Sequence, residues 1–301
     1  DAGGYCSAMS GPAMAIAIGY ALQAPPLVLF SLATVGYAAN ALGSTTLSGT
    51  AGAGGPLAVL VIAIVAAELG KAVSKETKID ILVTPITTIG VGSIVGLSIG
   101  VPIAAFMTSI GELINWGAVQ QPFLAGIIVS VLMGIALTLP ISSAAIGVSL
   151  NLSGIAAGAA AVGCAANMIG FAVASYRENK VGGLVAQGLG TSMLQMPNIV
   201  RKPVIWLPAI LTSAILGPVS TMVFGMTNNA TGSGMGTAGL VGQINTYQDM
   251  VAQGNDPMVV LIKIVVLHIV LPAILAFVIS EIDTEHLTDA IVIAKSSRSN
   301  F

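Results

Sequence analysis

LSGIAAGAAAVGCAANMIGFAVASY, residues 152–176, carries no charged side chain, no histidine and no proline. A helix that crosses a bilayer needs about 20 consecutive, mostly apolar residues, and this run exceeds that. Its apolar residues are continuous rather than alternating with period two, which argues for helix over strand. The small residues of Gly154-Ile-Ala-Ala-Gly-Ala-Ala-Ala-Val-Gly163 let neighbouring backbones approach closely.

Working outward, the stretch lies in a longer uncharged run from Leu113 to Tyr176. Two others match it, Ala2–Ala67 and Pro203–Gln248. Each is long enough for two or more crossings. Charged residues make up 7% of the chain and hydrophobic ones 55%, with a mean hydropathy of +0.95, whereas a soluble domain is about a quarter charged. The fold class is therefore an all-α polytopic transmembrane bundle. Apolar runs bounded by charge, Pro or Gly give spans near 4–22, 26–46, 56–73, 79–100, 122–139, 152–176, 203–225 and 257–280. Allowing for hairpin legs, about eight to ten crossings are expected. The domain reading is one transmembrane transport domain, 1–280, followed by a tail, 281–301.

Three uncharged intervals fit poorly as simple helices. They are 139–151, 182–198 and Gly225-Met-Thr-Asn-Asn-Ala-Thr-Gly-Ser-Gly-Met-Gly-Thr-Ala-Gly-Leu-Val-Gly-Gln243. Irregular backbone at membrane depth survives only where protein or a water-filled cavity satisfies it, so these intervals predict re-entrant hairpins. Short resemblances kept in order support an internal repeat of 36–139 onto 141–280. Leu47-Ser-Gly-Thr-Ala reads against Leu152-Ser-Gly-Ile-Ala, and Gly111-Glu-Leu-Ile-Asn115 against Gly242-Gln-Ile-Asn245. Such repeats are common in secondary transporters, with the substrate near the repeat interface.

The Lys71/Lys75/Lys78, Arg177/Lys180 and Arg201/Lys202 clusters predict cytoplasmic loops. The acid-only regions 101–121 and 226–256 are expected outside. For that orientation to hold, either 101–118 returns across the membrane or 140–150 forms a full hairpin leg.

Several classes of chemistry are excluded. A net charge of −2 without a basic stripe predicts no nucleic-acid partner. Cys6 and Cys164 have neither CxxC spacing nor a nearby His, so no metal, disulfide or cofactor is expected. Gly232-Ser-Gly-Met-Gly-Thr-Ala-Gly239 lacks the preceding strand and following acid of a dinucleotide fingerprint. No catalytic constellation is present, and the chain reads as a transporter rather than an enzyme.

The remaining chemistry is intramembrane polarity. Asn228, Asn229, Thr231, Ser233 and Gln243 offer donors and acceptors without charge, suited to a small neutral polar solute; in an ordinary loop they would serve turns and caps. Glu112, with Asn115 close by, is the carboxylate farthest from any charge cluster. His268 lies deep in the last span, and ionisable groups at such depth are expensive and usually functional; Lys263 is close enough to the span's end to snorkel. Asn151, also a candidate solute ligand, and Asn167 flank or enter a helix, where such amides bridge helices.

Thr84-Pro-Ile-Thr-Thr88, Leu139-Pro-Ile-Ser-Ser-Ala-Ala145 and the 226–243 segment resemble the phosphotransferase-system enzyme IIC-like membrane proteins, which include the perfringolysin O regulator type. The resemblance covers essentially the whole chain. It implies a bacterial inner-membrane permease with re-entrant hairpins that forms a homodimer in the lipid bilayer. A sugar would bind in the membrane domain and be presented to a phosphorylated IIB-type protein. No IIB or IIA domain lies within this chain, so that partner would be separate. The function expected is alternating-access translocation of a sugar or other small neutral solute. A membrane ligand sensor without transport is the alternative.

Overall fold

The computed structural model describes residues 2–41 and 55–282, so the glycine-rich residues 47–54 and the tail beyond Ile282 lie outside the described residues. In chain order the α-helices are α1 (Ala2–Ala8), α2 (Ser10–Ala21), α3 (Pro26–Asn40), α4 (Gly55–Val73), α5 (Asp80–Ala118) and α6 (Pro122–Thr138). They continue with α7 (Ser143–Ser149), α8 (Gly154–Ala174), α9 (Tyr176–Val185), α10 (Met196–Arg201), α11 (Leu207–Pro218) and α12 (Ala230–Ser233). The last are α13 (Val241–Ala252), α14 (Pro257–Val265) and α15 (Leu271–Ile282). Prolines open α3, α6 and α14, where the missing N–H is no loss.

Among the described residues five helical stretches are long and apolar enough to cross a membrane: Gly55–Val73, Asp80–Ile99, Gly154–Ala174, Pro203–Phe224 and Pro257–Glu281. Pro26–Asn40 and Pro122–Thr138 are shorter apolar helices. The 4–22 run is two helices, broken at Met9. Large aliphatic side chains face outward, with Leu97 83% and Ile81 72% exposed; a lipid solvent accommodates them and water would not.

Neither topological alternative offered for 101–151 is present. The helix begun at Asp80 continues without a break through 101–118 rather than returning, despite prolines at 85 and 102. At 1.5 Å per residue, α7, with 7 residues, is too short to cross.

The chain divides into two compact units, Asp1–Ile110 with Pro140–Ala145, and Gly111–Leu139 with Ile146–Phe301. In the first, α2 and α3 meet backbone to backbone: a Cβ on Gly36 would collide with the Gly11 carbonyl and lie 2.6 Å from the Ala15 Cβ. Val28, Leu32, Val35, Ile62, Ala63 and Ala66 form the core beneath that crossing. Lys71 closes one end, its Nζ donating to the Leu22 carbonyl at 2.9 Å and pairing with Glu68 at 3.0 Å.

The second unit is built around α8, the run that decided the fold class and 83% buried. Its glycines account for that burial. A Cβ on Gly163 would collide with the Ser130 carbonyl of α6, and one on Gly158 with the Met226 carbonyl. Gly126 and Gly217 perform the same service between α6 and α11. Val162, Leu216, Met226, Met250, Val260, Ile264 and Leu267 then close a core that joins α8 to α11, α13 and α14.

Two of the three predicted irregular intervals, 182–198 and 225–243, are largely irregular, while 139–151 holds the short helix α7 between turns. Residues 186–206 form a π-turn, two 3-10 turns and the short α10; 225–240 is a loop holding only α12 and one 3-10 turn. Further π-turns occur at Val219–Phe224 and Val266–Val270. Such turns inside longer helices recur at functional sites.

Candidate functional site in the second unit

The 225–240 loop starts where the π-turn of 219–224 stops. Gly225 is left-handed, with φ 56° and ψ 42°, a conformation glycine adopts without steric penalty. The orphan carbonyl of Phe224 accepts a 2.8 Å hydrogen bond from Lys263 Nζ, so this membrane-depth lysine is a cap for a broken helix end. Three residues after Gly225, the Asn228 N–H donates to the Gly154 carbonyl at 3.2 Å, pinning the loop to the start of α8.

Asn228 is fully buried and its side chain is committed to protein. Nδ2 donates to the Gly242 carbonyl at 3.2 Å and to Thr246 Oγ1 at 2.9 Å, while Oδ1 accepts from the Asn229 N–H at 2.8 Å. Asn229 caps α12 by accepting from the Gly232 N–H at 3.0 Å, and its Nδ2 donates to Asn245 Oδ1 at 2.9 Å. Ser233, also buried, donates to the Ala230 carbonyl at 2.9 Å. Thr231 is exposed. The Asn-Asn-Ala-Thr-Gly-Ser segment therefore holds the loop in shape with most of the groups expected to face a solute. At its edge, Thr227 Oγ1 donates to Asp249 Oδ2 at 2.6 Å, and Gln253 Nε2 reaches both.

Gln243 and His268 are different. Gln243 Nε2 lies 3.0 Å from His268 Nδ1, joining α13 to the π-turn of the last span. His268 is fully buried and Gln243 is 8% exposed. Gln243 Oε1 and His268 Nε2 have no hydrogen-bond partner. Burying a polar atom without a partner is expensive, and native proteins rarely do so without a function for it. The protein thus holds one amide oxygen and one imidazole nitrogen inside the second unit with unsatisfied hydrogen-bonding capacity.

The other expected site residues do not join this pair. In the last turns of α5, Gly111, Ile114 and Gly117 face inward, so Glu112 and Asn115 point outward and are exposed. Gly117 is tight enough that a Cβ would collide with Ile128. Asn151, exposed with φ 48°, is the left-handed residue that ends α7, a conformation asparagine tolerates better than most.

Asn167 bridges helices, as the composition of α8 suggested. Its Nδ2 donates to Ser213 Oγ at 3.0 Å and to the Gly163 carbonyl at 3.1 Å. Its Oδ1 accepts from Trp206 Nε1 at 3.0 Å and Thr138 Oγ1 at 3.3 Å. Thr138 and Ser192 pair at 2.8 Å. A second chain, absent from the residues singled out from sequence, runs Asn198 to Gln195 to Gln187 to Ser175, each amide nitrogen donating at 2.9 Å to the next side-chain oxygen. Its signal was visible in the glutamines of the uncharged 182–198 interval, though which amides would meet was not.

Against known proteins, a family model described as "Phosphotransferase system, EIIC" matches residues 1–291. No curated protein and no solved structure matches the chain.

Proposed function

The chain belongs to the phosphotransferase-system EIIC family, and from that membership we propose that it carries a neutral sugar through the second unit by alternating access, with Gln243 and His268 as the solute ligands. As a family member it is a multi-pass membrane protein, the permease component of sugar transport, working with phosphotransferase partners such as EIIB. The proposal adds where the sugar binds and how it is moved. It assigns the chain to a bacterial inner membrane as a homodimer. The basic loops at Lys71–Lys78, Arg177–Lys180 and Arg201–Lys202 are taken as cytoplasmic by the positive-inside rule.

The observation that supports this reading is the Gln243–His268 pair, buried and with one hydrogen-bonding atom unpartnered on each side chain. Among the described residues no Lys, Arg, Asp or Glu hydrogen-bonds to either, and the 225–243 loop beside them is uncharged. An anion would call for a cation at this depth; hydroxyl groups do not. Asn228 and Asn229 shape the loop rather than touch the solute, and Glu112 stands apart. His268 is fully buried and Gln243 8% exposed, so the pair lies inside the second unit.

A thermal-shift screen of the detergent-purified full chain tests the reading, because binding to the native state raises its unfolding midpoint. D-glucose, D-galactose and D-mannitol stand for neutral solutes, gluconate for an anionic one. At least one neutral compound should raise the midpoint of the wild type and of Glu112→Gln, but not of His268→Leu. A shift from gluconate alone, or a neutral shift that His268→Leu keeps, refutes the site.

A further inference from the structure

Whichever way the Gln243 amide is turned, a neutral imidazole at position 268 leaves the pair with one donor and one acceptor. If the amide N–H donates to Nδ1, as the 3.0 Å contact of Gln243 Nε2 and His268 Nδ1 has it, the ring proton sits on Nε2. The free atoms are then an acceptor, Gln243 Oε1, and a donor, the Nε2–H. If the amide is reversed, its NH2 is the donor and Nε2 the acceptor. The two unpartnered atoms are therefore always of opposite hydrogen-bonding sense, and each side chain sets the sense of the other.

We propose that Gln243 is the specificity-determining residue of the sugar site: by setting the His268 tautomer it makes the pair a reader of two hydroxyl groups, one donating and one accepting. The inference rests on the solute-site reading above and adds the feature of the solute that is read. A hydroxyl can serve in either role, so a polyol can offer one hydroxyl to each buried atom. A carboxylate or phosphate monoanion face offers acceptors, satisfies only the donor, and leaves the pair's own acceptor against negative charge. A site built to bond hydroxyls rejects a solute that leaves one of its buried groups unpaired. Titratable groups on the surrounding elements are few: Cys164 on α8, Tyr247 and Asp249 on α13, Lys263 on α14 and Glu281 on α15. None of them hydrogen-bonds to the ring. Asp249 is engaged by Thr227 and Gln253, Lys263 by the Phe224 carbonyl, and Cys164 Sγ by the Met133 and Ser233 carbonyls. With the amide nitrogen facing Nδ1, as in this structure, the amide sets the tautomer.

The full chain in detergent, labelled with 15N-histidine, gives the first readout, which needs no solute. The protein has two histidines, 268 and 286, and His286→Gln assigns the spectrum. One tautomer should be seen at His268 in the wild type, with the Nε2 nitrogen protonated. Gln243→Leu should release a mixture of tautomers. A tautomer mixture in the wild type, or a ring unmoved by Gln243→Leu, overturns the inference. The second readout is binding of D-glucose, D-galactose, D-mannitol and gluconate. Gln243→Leu and Gln243→Glu should weaken any neutral compound that binds by about 10- to 100-fold. His268→Gln, which restores a donor and an acceptor, should recover part of what His268→Leu loses. A neutral compound whose affinity ignores Gln243→Leu overturns this inference and leaves the solute site standing on His268. Absence of any shift from all four compounds overturns the solute site itself, and the hydroxyl reading with it.

Discussion

Two buried amides in the same unit, Asn167 and Gln243, sit in similar surroundings and are used in opposite ways. Asn167 lies at the middle of α8 with both ends of its amide engaged, and its partners come from α6, α11 and the 3-10 turn at Trp206. Gln243 has one end on His268 and the other on nothing, as does the ring it touches. Burial and residue type do not separate them; completeness of pairing does. A satisfied buried network rigidifies and specifies a core. An unsatisfied one is a liability that only a transient partner relieves.

That contrast can be broken by ranking substitutions on stability. The largest loss is expected for Asn167→Leu, which leaves Trp206 Nε1 without its acceptor and takes one of several partners from Ser213 and Thr138, at about 1–3 kcal/mol or more. Thermal or denaturant unfolding in detergent measures it; a loss under about 1 kcal/mol would mean water replaces the amide and the node is not structural. Asn228→Ala comes next. It frees the Gly242 carbonyl, Thr246 and the Asn229 N–H, and should cost about 2 kcal/mol and loosen amide-exchange protection across 226–246. Lys263→Met should follow at about 1 kcal/mol, since only the Phe224 carbonyl is uncapped, with the change in exchange confined to the end of the 219–224 turn. His268→Gln and Gln243→Leu should be the mildest, within about 0.5 kcal/mol of the wild type, while removing or weakening solute binding. If Gln243→Leu were as destabilising as Asn167→Leu, the two amides would be of one kind and the solute site would have to be sought elsewhere.

Much of this was legible in the residues. The uncharged runs named the spans because a bilayer admits few charges, and the Gly, Asn and Gln content of 182–198 and 225–243 marked where regular helix would fail. His268 stood out for its depth. Glu112 and Asn115 were drawn into the expected site by residue type, but the inward face of α5 runs through Gly111, Ile114 and Gly117, so the carboxylate points away. Asn228 and Asn229 have the composition of a binding loop and the geometry of a capping one: the same amide can serve a solute or a backbone, and only its distances show which. The 139–151 interval looked like a hairpin leg, yet its helix is a short piece ended by left-handed Asn151.

Membrane residence, helical class and the broken stretches within 182–198 and 225–243 were determined by the sequence alone, because hydrophobicity and helix-breaking are local properties summed along the chain. Which polar side chains are satisfied was decided only by the tertiary structure. The partners of Asn167 come from positions 138, 206 and 213, and Gln243 meets His268 across 25 residues. A hydrogen bond depends on a few tenths of an ångström between groups far apart in the chain, and no pattern in one dimension encodes that distance.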